Sequence, residues 1–596
     1  MRWTLLWLAA STVGVMAALT MLAAGYADGE FLPSNADAFY HARRILDSVM
    51  TGNPVIQFDD RIHVPEGSWL TWPWGFDTLL ASLTRLFGPF ATESSARRVL
   101  MNIPPAALPI AMGLAVLVAR QLALPFLLAA VFVLAFAALP LAYIQFAVGN
   151  VDHHFAELIC TLGSLSAGIW FFGGRARSLA PGVVLGLVLG GAMAIHNGLF
   201  ILQIPVAIMI ALSWLRGVPL PERRQMWAFA LTLFLATLAI CIPSQPWRNG
   251  FFEFYTLSWF HLYIAACVAV FALILTYLRA SARNVTIVIV AALAAMLPIA
   301  GTLVLASQFV SGELESIRDI LEARSPYVLY WEYGEIMSTR YVSSLIWLAA
   351  PMLLLNIWWV VRQRDRALQF VAIVGVLGLI LMQAQFRFSV YGEASMLLTP
   401  VLAAQQWAAS RPGGRKWIYS GCVLLFAACF LPTFANWQMR QRLGGDLAYG
   451  NVQSIFPVLD RACRARPGIV LGDLDSGHWV RFHSQCSVIG DVFLLTPQHA
   501  EKALLTRTLL RLTPAELLAD DHGVRYVFLH HSMTIIKGSD GSETPNLEKV
   551  RQQLGPLERE LLAQEPQLPP QFHKLWEVRT PAGQIYSRLY EIERAP

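Results

Sequence analysis

Through the first 434 residues, long apolar runs alternate with short polar stretches in which Arg recurs. Crossing about 30 Å of hydrocarbon takes roughly 20 apolar residues in a helix. By that measure thirteen spans are predicted, near 4–24, 102–119, 121–146, 153–173, 179–195, 198–215, 226–243, 259–279, 284–307, 342–361, 367–385, 388–408 and 415–434. The first run follows Arg2 and ends in small residues such as Ala23, Ala24 and Gly25, as a signal peptide does. Its length and the topology of the rest favour an uncleaved helix.

After about residue 435 the pattern changes: apolar runs shrink to strand length and polar or Pro-containing turns separate them. Strands are expected at Gly468–Leu471, Ser487–Ile489 and Val524–Leu529, and helices near 498–512 and 546–563. The predicted fold is thus an α-helical polytopic membrane domain, 1–434, followed by a soluble mixed α/β domain, 435–596. Composition agrees, with 56% hydrophobic and 14% charged residues against about 25% charged in soluble domains. The +5 formal charge is scattered through loops, so a nucleic-acid partner is not expected. The seven Cys show no zinc-like or iron–sulfur-like spacing.

Positive loops stay in the cytoplasm. With the N-terminus inside, the inner loops hold Arg2, Arg120, Arg175, Arg177, Arg216, Arg223, Arg224, Arg279, Arg283, Arg362, Arg364, Arg366, Arg411, Arg415 and Lys416. Two long loops, near 25–101 and 308–341, and the C-terminal domain then fall outside, which predicts a multi-pass protein of the bacterial cell membrane with a periplasmic C-terminal domain. Most carboxylates before residue 435 share that outer side, Asp37, Asp59, Asp77, Asp152, Glu157 and Glu322 among them. Crowded carboxylates beside anionic headgroups call for a cation.

Four places can carry chemistry. Asp37 lies in Ser34-Asn35-Ala36-Asp37, where a helix cap is the plain alternative. Asp152-His153-His154 stands at the mouth of the fourth span, where bare charge costs several kcal/mol unless water, a partner or a metal meets it. In an extended entry, Asp152 and His154 (i, i+2) turn toward one ion, and His153 reads as a capping or supporting group. Glu322 sits between Arg318 and Arg324 in the second long loop, and Arg387 sits between two apolar runs, either snorkelling or paired with phosphate. Trp69, Trp72 and Trp74 read as an interfacial aromatic belt. Cys463 and Cys486 fall in the external domain, where a disulfide is permitted.

In their order and common membrane side, these motifs resemble the catalytic subunit of oligosaccharyltransferase, a membrane glycosyltransferase family of GT-C type. Asp152-His153-His154 is similar to an archaeal-like variant of its second acidic motif. The resemblance implies that Asp37, Asp152 and His154 bind Mn²⁺ or Mg²⁺, with Asp37, Asp152 and Glu322 catalytic. It implies that Glu322 helps hold the acceptor and that Arg387 faces the donor phosphate. The family reads its acceptor with a Trp-Trp-Asp-Tyr-Gly signature; here the counterpart is Asp473-Leu474-Asp475-Ser476-Gly477, which leaves Asp475 as the substrate-facing residue without the aromatics. The implied reaction moves a glycan from a polyprenyl phosphate or pyrophosphate carrier to an extracytoplasmic acceptor, protein Asn among the candidates. The alternatives are a transferase acting on lipid or polysaccharide, and a flippase for lipid-linked sugar. Against the last stand the absence of an internal repeat and of ionisable residues at mid-membrane depth.

Overall fold

The computed structural model describes residues 1–27, 29–174, 178–305, 325, 343–363, 365–435, 450, 452–530, 535–537, 543–545, 554–579 and 583–594. Apolar runs fold as helices because hydrocarbon offers no partner for backbone N–H and C=O, which must bond within the segment. In chain order the helices are α1 (Arg2–Leu19), α2 (Ala36–Thr51), α3 (Trp74–Arg85), α4 (Glu93–Met101), α5 (Ile103–Gln121), α6 (Phe126–Ala138), α7 (Pro140–Gln145) and α8 (His154–Phe172). Then come α9 (Ala180–Ile195), α10 (Gln203–Leu215), α11 (Arg223–Cys241), α12 (Trp259–Tyr277), α13 (Ala282–Leu305), α14 (Ile346–Gln363), α15 (Arg366–Ala384), α16 (Ser389–Ser410) and α17 (Arg415–Ala435).

A helix lies at each of the thirteen predicted spans, and among the described residues eight are long and apolar enough to cross a membrane. The protein is a multi-pass membrane protein. The third span differs from expectation in one respect: Pro140 divides it into α6 and the short α7, since a Pro ring removes a backbone donor and clashes with the preceding turn. Within the bundle, Gly182, Gly186 and Gly190 recur every fourth residue on α9, and a Cβ at any of them would run into α11. Such small-residue stripes let helices approach closely in lipid, where no hydrophobic force draws them together.

The terminal domain carries a five-stranded mixed sheet of β1 (Ile469–Leu471), β2 (Ser487–Val488), β3 (Val524–His530), β4 (Phe572–Arg579) and β5 (Ile585–Ile592), ordered β4-β5-β3-β1-β2. β1 runs parallel to β2 and β3, while β3, β5 and β4 are antiparallel in sequence. The three predicted strands and the 498–512 helix, observed as Pro497–Leu510, are present. The β4–β5 hairpin was not anticipated, although Phe572-His-Lys-Leu-Trp-Glu-Val-Arg is rich in β-formers. Of the 546–563 helix, the described part is Pro556–Leu561. Cys463 and Cys486 form a disulfide.

The edge strand β2 is covered by the first long loop. Val488 N–H donates to the Arg61 carbonyl (2.8 Å) and Ile62 bridges Val488 in parallel. One hydrophobic core runs from the bundle through Phe39 and Trp72 into Trp479, Phe482 and Phe493 of the α/β domain. The first loop is thereby held between the two halves.

Candidate active site

Two segments meet where the bundle carries the α/β domain. Asn35 caps α2, its Oδ1 accepting from Ala38 N–H (2.7 Å), so the capping role considered for Asp37 belongs to Asn35. The Asn35 amide also donates to Asn150 Oδ1 (2.7 Å), and Ser34 N–H donates to the Gly149 carbonyl (3.0 Å). Gly149 has φ +83°, and a Cβ on it would run into the Leu32 carbonyl. Only glycine suits both the left-handed backbone and that approach. The Asp37 loop and the Asp152 loop are in this way bonded side by side.

Asp37 lies in the first turn of α2, and His41 one turn further on shares its face. His41 Nε2 is 3.2 Å from His153 Nδ1, which is 2.8 Å from Asp152 Oδ1. Asp152 Oδ2 is 3.8 Å from His154 Nε2, while His154 Nδ1 is 2.7 Å from Glu157 Oε2. The other Glu157 oxygen is 2.6 Å from His196 Nδ1, and the His196 ring stacks on His153 at 4.5 Å. Behind His41, Asp77 Oδ1 approaches Nδ1 (2.6 Å) and Asp77 Oδ2 meets Arg44 (2.7 Å). Trp72, expected in an interfacial belt, is instead buried and stacked on His41 at 3.9 Å.

Each carboxylate–imidazole contact fixes which ring nitrogen carries the proton. Glu157 takes the Nδ1 side of His154 and turns Nε2 toward Asp152, and Asp77 does the same for His41 and His153. Such pairs orient imidazoles at metal centres and raise their basicity. Burial opposes a charge on Asp152, but the charges of His154 and His153 outweigh it and hold the carboxyl below its ordinary range.

Of the three sets whose ligand atoms lie within 4.8 Å of one another among the described residues, two lie here: His41, Asp152 and His153, and His153, Glu157 and His196; the third, Asp520, Asp521 and His522, is in the α/β domain. Mixed imidazole and carboxylate donors fit a borderline divalent ion such as Mn²⁺ or Zn²⁺ better than Ca²⁺, which takes oxygen. His153, read from sequence as a cap or support, makes no side-chain cap and belongs to both sets. Asp37 belongs to neither set; its Oδ1 lies 3.8 Å from His478 Nδ1. Asp475 is in the first turn of the helix Leu474–His483, whose cap is Asp473. Arg387 sits on the turn Phe386–Phe388, its Nε donating to Gln385 Oε1 (2.8 Å) and its guanidinium 5.2 Å from the Phe388 ring centre. Glu322 lies outside the described residues.

Sequence reasoning passed over His41 and His196, counted Asp77 and Glu157 only among the outer carboxylates, and placed Trp72 in an interfacial belt. Two had a signal: His41 is four residues from Asp37 and Glu157 three from His154, so both pairs share a helix face. His196 and Asp77 had none, because long-range packing brings them in.

The α/β domain closes the site from above. Asp59 accepts from Arg481 Nε (2.8 Å) and from the Tyr40 hydroxyl (2.7 Å), all three buried. His478 Nδ1 donates to the Ala36 carbonyl (3.0 Å), and its Nε2 is 3.5 Å from Asp491 Oδ2, whose other oxygen is 3.1 Å from His63. Burial works against a charge on His478, yet Asp491 and Asp37 raise its pKa above the ordinary imidazole value.

The helical bundle, with its first long loop held under a terminal α/β domain, shares its fold with solved oligosaccharyltransferase structures. The archaeal oligosaccharyltransferase AglB from Archaeoglobus fulgidus, solved with an inhibitory peptide and a dolichol-phosphate, superposes with a TM-score of 0.72 at 15% identity, over 99% of this chain and 75% of that one. The same enzyme tethered to an acceptor peptide containing the NVT sequon gives 0.71 at 14% identity, over 97% and 80%. Arabinofuranosyltransferase AftD from Mycobacteria gives 0.51 at 11% identity, over 99% of this chain and 41% of that one. No protein-family model matches the sequence, and no curated protein matches it in sequence. The likeness is one of fold.

Proposed function

We propose that this chain is a membrane glycosyltransferase that moves a glycan from a polyprenyl phosphate or diphosphate carrier to an acceptor outside the cytoplasm, with its α/β domain on that side. The observation that carries the reading is the convergence of Asp152, His153, His154, Glu157, His196, His41 and Asp77 at one end of the bundle. The fold match adds to it: AglB was solved with dolichol-phosphate, a lipid phosphate of the class such a donor would belong to.

Asp152, with His153 or His154, would hold a divalent cation, and Asp37 is read as a further ligand. A bound divalent ion, Mn²⁺ among those the donor set fits, would supply Lewis acidity toward a departing phosphate. The chain's own residues do the rest. Glu157 and Asp77 keep His154 and His41 in one tautomer, which leaves preset donors and costs no reorganisation during reaction. Arg387 adds positive charge beside the leaving group, in a forked geometry suited to phosphate oxygens. Glu322, from the second long loop, is read as the residue that orients the acceptor.

The acceptor need not be a sequon. Where the oligosaccharyltransferase family carries aromatics, this chain has Asp473, Leu474 and Ser476, and Ser476, Gly477 and His478 are buried rather than offered to a peptide. That favours an acceptor other than Asn-x-Ser/Thr, a lipid or polysaccharide hydroxyl included. The test is to incubate the purified protein with labelled polyprenyl-diphosphate glycan and cell-envelope fractions, then identify the labelled product by mass spectrometry. Transfer that vanishes in Asp152→Ala supports the reading. Movement of intact donor across a proteoliposome membrane without cleavage would replace it with a flippase.

A further inference from the structure

The α/β domain sends one side chain directly to the turn that bears Asp37. His478, on the helix Leu474–His483, is fully buried, as is Asp491 behind it. The ring is confined on its faces and edges by Tyr40 (centroids 5.0 Å), Phe493 (4.8 Å) and Trp72 (6.2 Å). Its Nδ1 bonds the Ala36 carbonyl at 3.0 Å and lies 3.8 Å from Asp37 Oδ1, while Nε2 faces Asp491 at 3.5 Å. Asp491 is itself fixed, its Oδ1 accepting from Phe493 N–H (2.9 Å) and facing His63 Nε2 (3.1 Å). An imidazole so clamped serves no packing need that Leu or Phe would not serve at less desolvation cost. What it supplies is an N–H bonded to the carbonyl of Ala36, the residue before Asp37, and an imidazole edge 3.8 Å from the Asp37 carboxylate. Ligands at metal centres are commonly held in place by such outer groups, here through the backbone turn that bears Asp37, and losing the outer group weakens metal binding about 10–100-fold.

We propose that His478, backed by Asp491, is a positioning residue for Asp37, so that the α/β domain completes the cation site of the membrane half. The inference rests on the reading of Asp37 as a cation ligand. It gives the terminal domain a part in building the site, separate from any part in reading the acceptor.

The experiment is Mn²⁺ titration of the full-length protein in detergent, with free Mn²⁺ followed by electron paramagnetic resonance. Variants are Asp37→Ala, His478→Leu, His478→Gln, Asp491→Asn and the Asp37→Ala/His478→Leu double. Expected is a roughly 10–100-fold loss of affinity in His478→Leu, a smaller loss in His478→Gln, which keeps a donor, and no further loss when His478→Leu is added to Asp37→Ala. Wild-type affinity in His478→Leu together with weakened binding in Asp37→Ala overturns the inference and leaves the reading of Asp37 intact. Wild-type affinity in Asp37→Ala overturns that reading itself. If His478→Leu fails to fold, His478→Gln and Asp491→Asn decide, and undiminished Mn²⁺ affinity in both counts against the proposal.

Discussion

The interior of the helical bundle and the seam beneath the α/β domain are both buried, yet they are built from opposite chemistry. Between α9 and α11, contact runs along Gly182, Gly186 and Gly190 against backbone. At the seam the buried groups are Asp59, Asp77, Asp152, Glu157, Arg44, Arg481 and five histidines: His41, His63, His153, His478 and His499. Apolar packing alone could have joined the two halves, and at lower cost, because desolvating paired charges often cancels their attraction. A protein that keeps so many ionisable groups buried at one level is holding them for a task other than cohesion.

Four substitutions sharpen this contrast, from the largest expected effect to the smallest. Replacing Asp152 by Ala removes a carboxylate that two histidines face. Glycan transfer should fall by about 100-fold or more, as when a preset electrostatic group is deleted, with the protein still folded by size-exclusion profile.

Next is Asp59→Asn, which leaves Arg481 buried beside a neutral partner. Losing one member of a buried pair costs about 3–5 kcal/mol, to be read as a lowered melting temperature of the detergent-solubilised protein. Burial alone would raise the Asp59 pKa, but the Arg481 charge and the Tyr40 and Arg61 hydrogen bonds hold it below the usual value. A folded-state pKa below the unfolded one stabilises above the ordinary carboxylate range and loses that contribution as pH falls through the lowered value. The wild type should therefore lose its advantage over Asp59→Asn on the acid side of about pH 4.

Third, Gly149→Ala should cost about 1–3 kcal/mol through overpacking and should also depress transfer, since it parts the Asp37 and Asp152 loops. A matched change outside the seam, Arg464→Ala at the mostly exposed pair with Asp460, should move stability by about 0.3–0.5 kcal/mol at most and leave transfer unchanged. Equal effects from the last two would erase the distinction between seam and surface.

Much of the bundle was legible because a membrane forces apolar length and helix to coincide, so each predicted span is met by a helix. Pro140 shows the limit: a run that reads as one span is broken by a residue whose effect is on backbone bonding. In the α/β domain, β1 and β3 could be read as short apolar runs, whereas β4 exposes His573, Lys574 and Arg579 and has no continuous apolar run. Asp152, His154 and their partner Glu157 are adjacent in sequence and announce themselves as a cluster. Asp77, His196, His478 and Asp491 come from four other places, and only the docking of helices and domain makes them neighbours. Asp37 is the intermediate case. Its motif was visible, but the structure gives the cap to Asn35 and puts His478 next to the carboxylate.

The most direct measurement is chemical: purified wild-type protein is mixed with a polyprenyl-diphosphate glycan radiolabelled in its sugar, with Mn²⁺ and a cell-envelope fraction that supplies the acceptor, and labelled carrier is separated from labelled product over time. The account predicts that label leaves the carrier in the wild type and stays on it in Asp152→Ala and in His154→Ala. Label that remains on intact carrier in the wild type, or that leaves it equally fast in both variants, would contradict it.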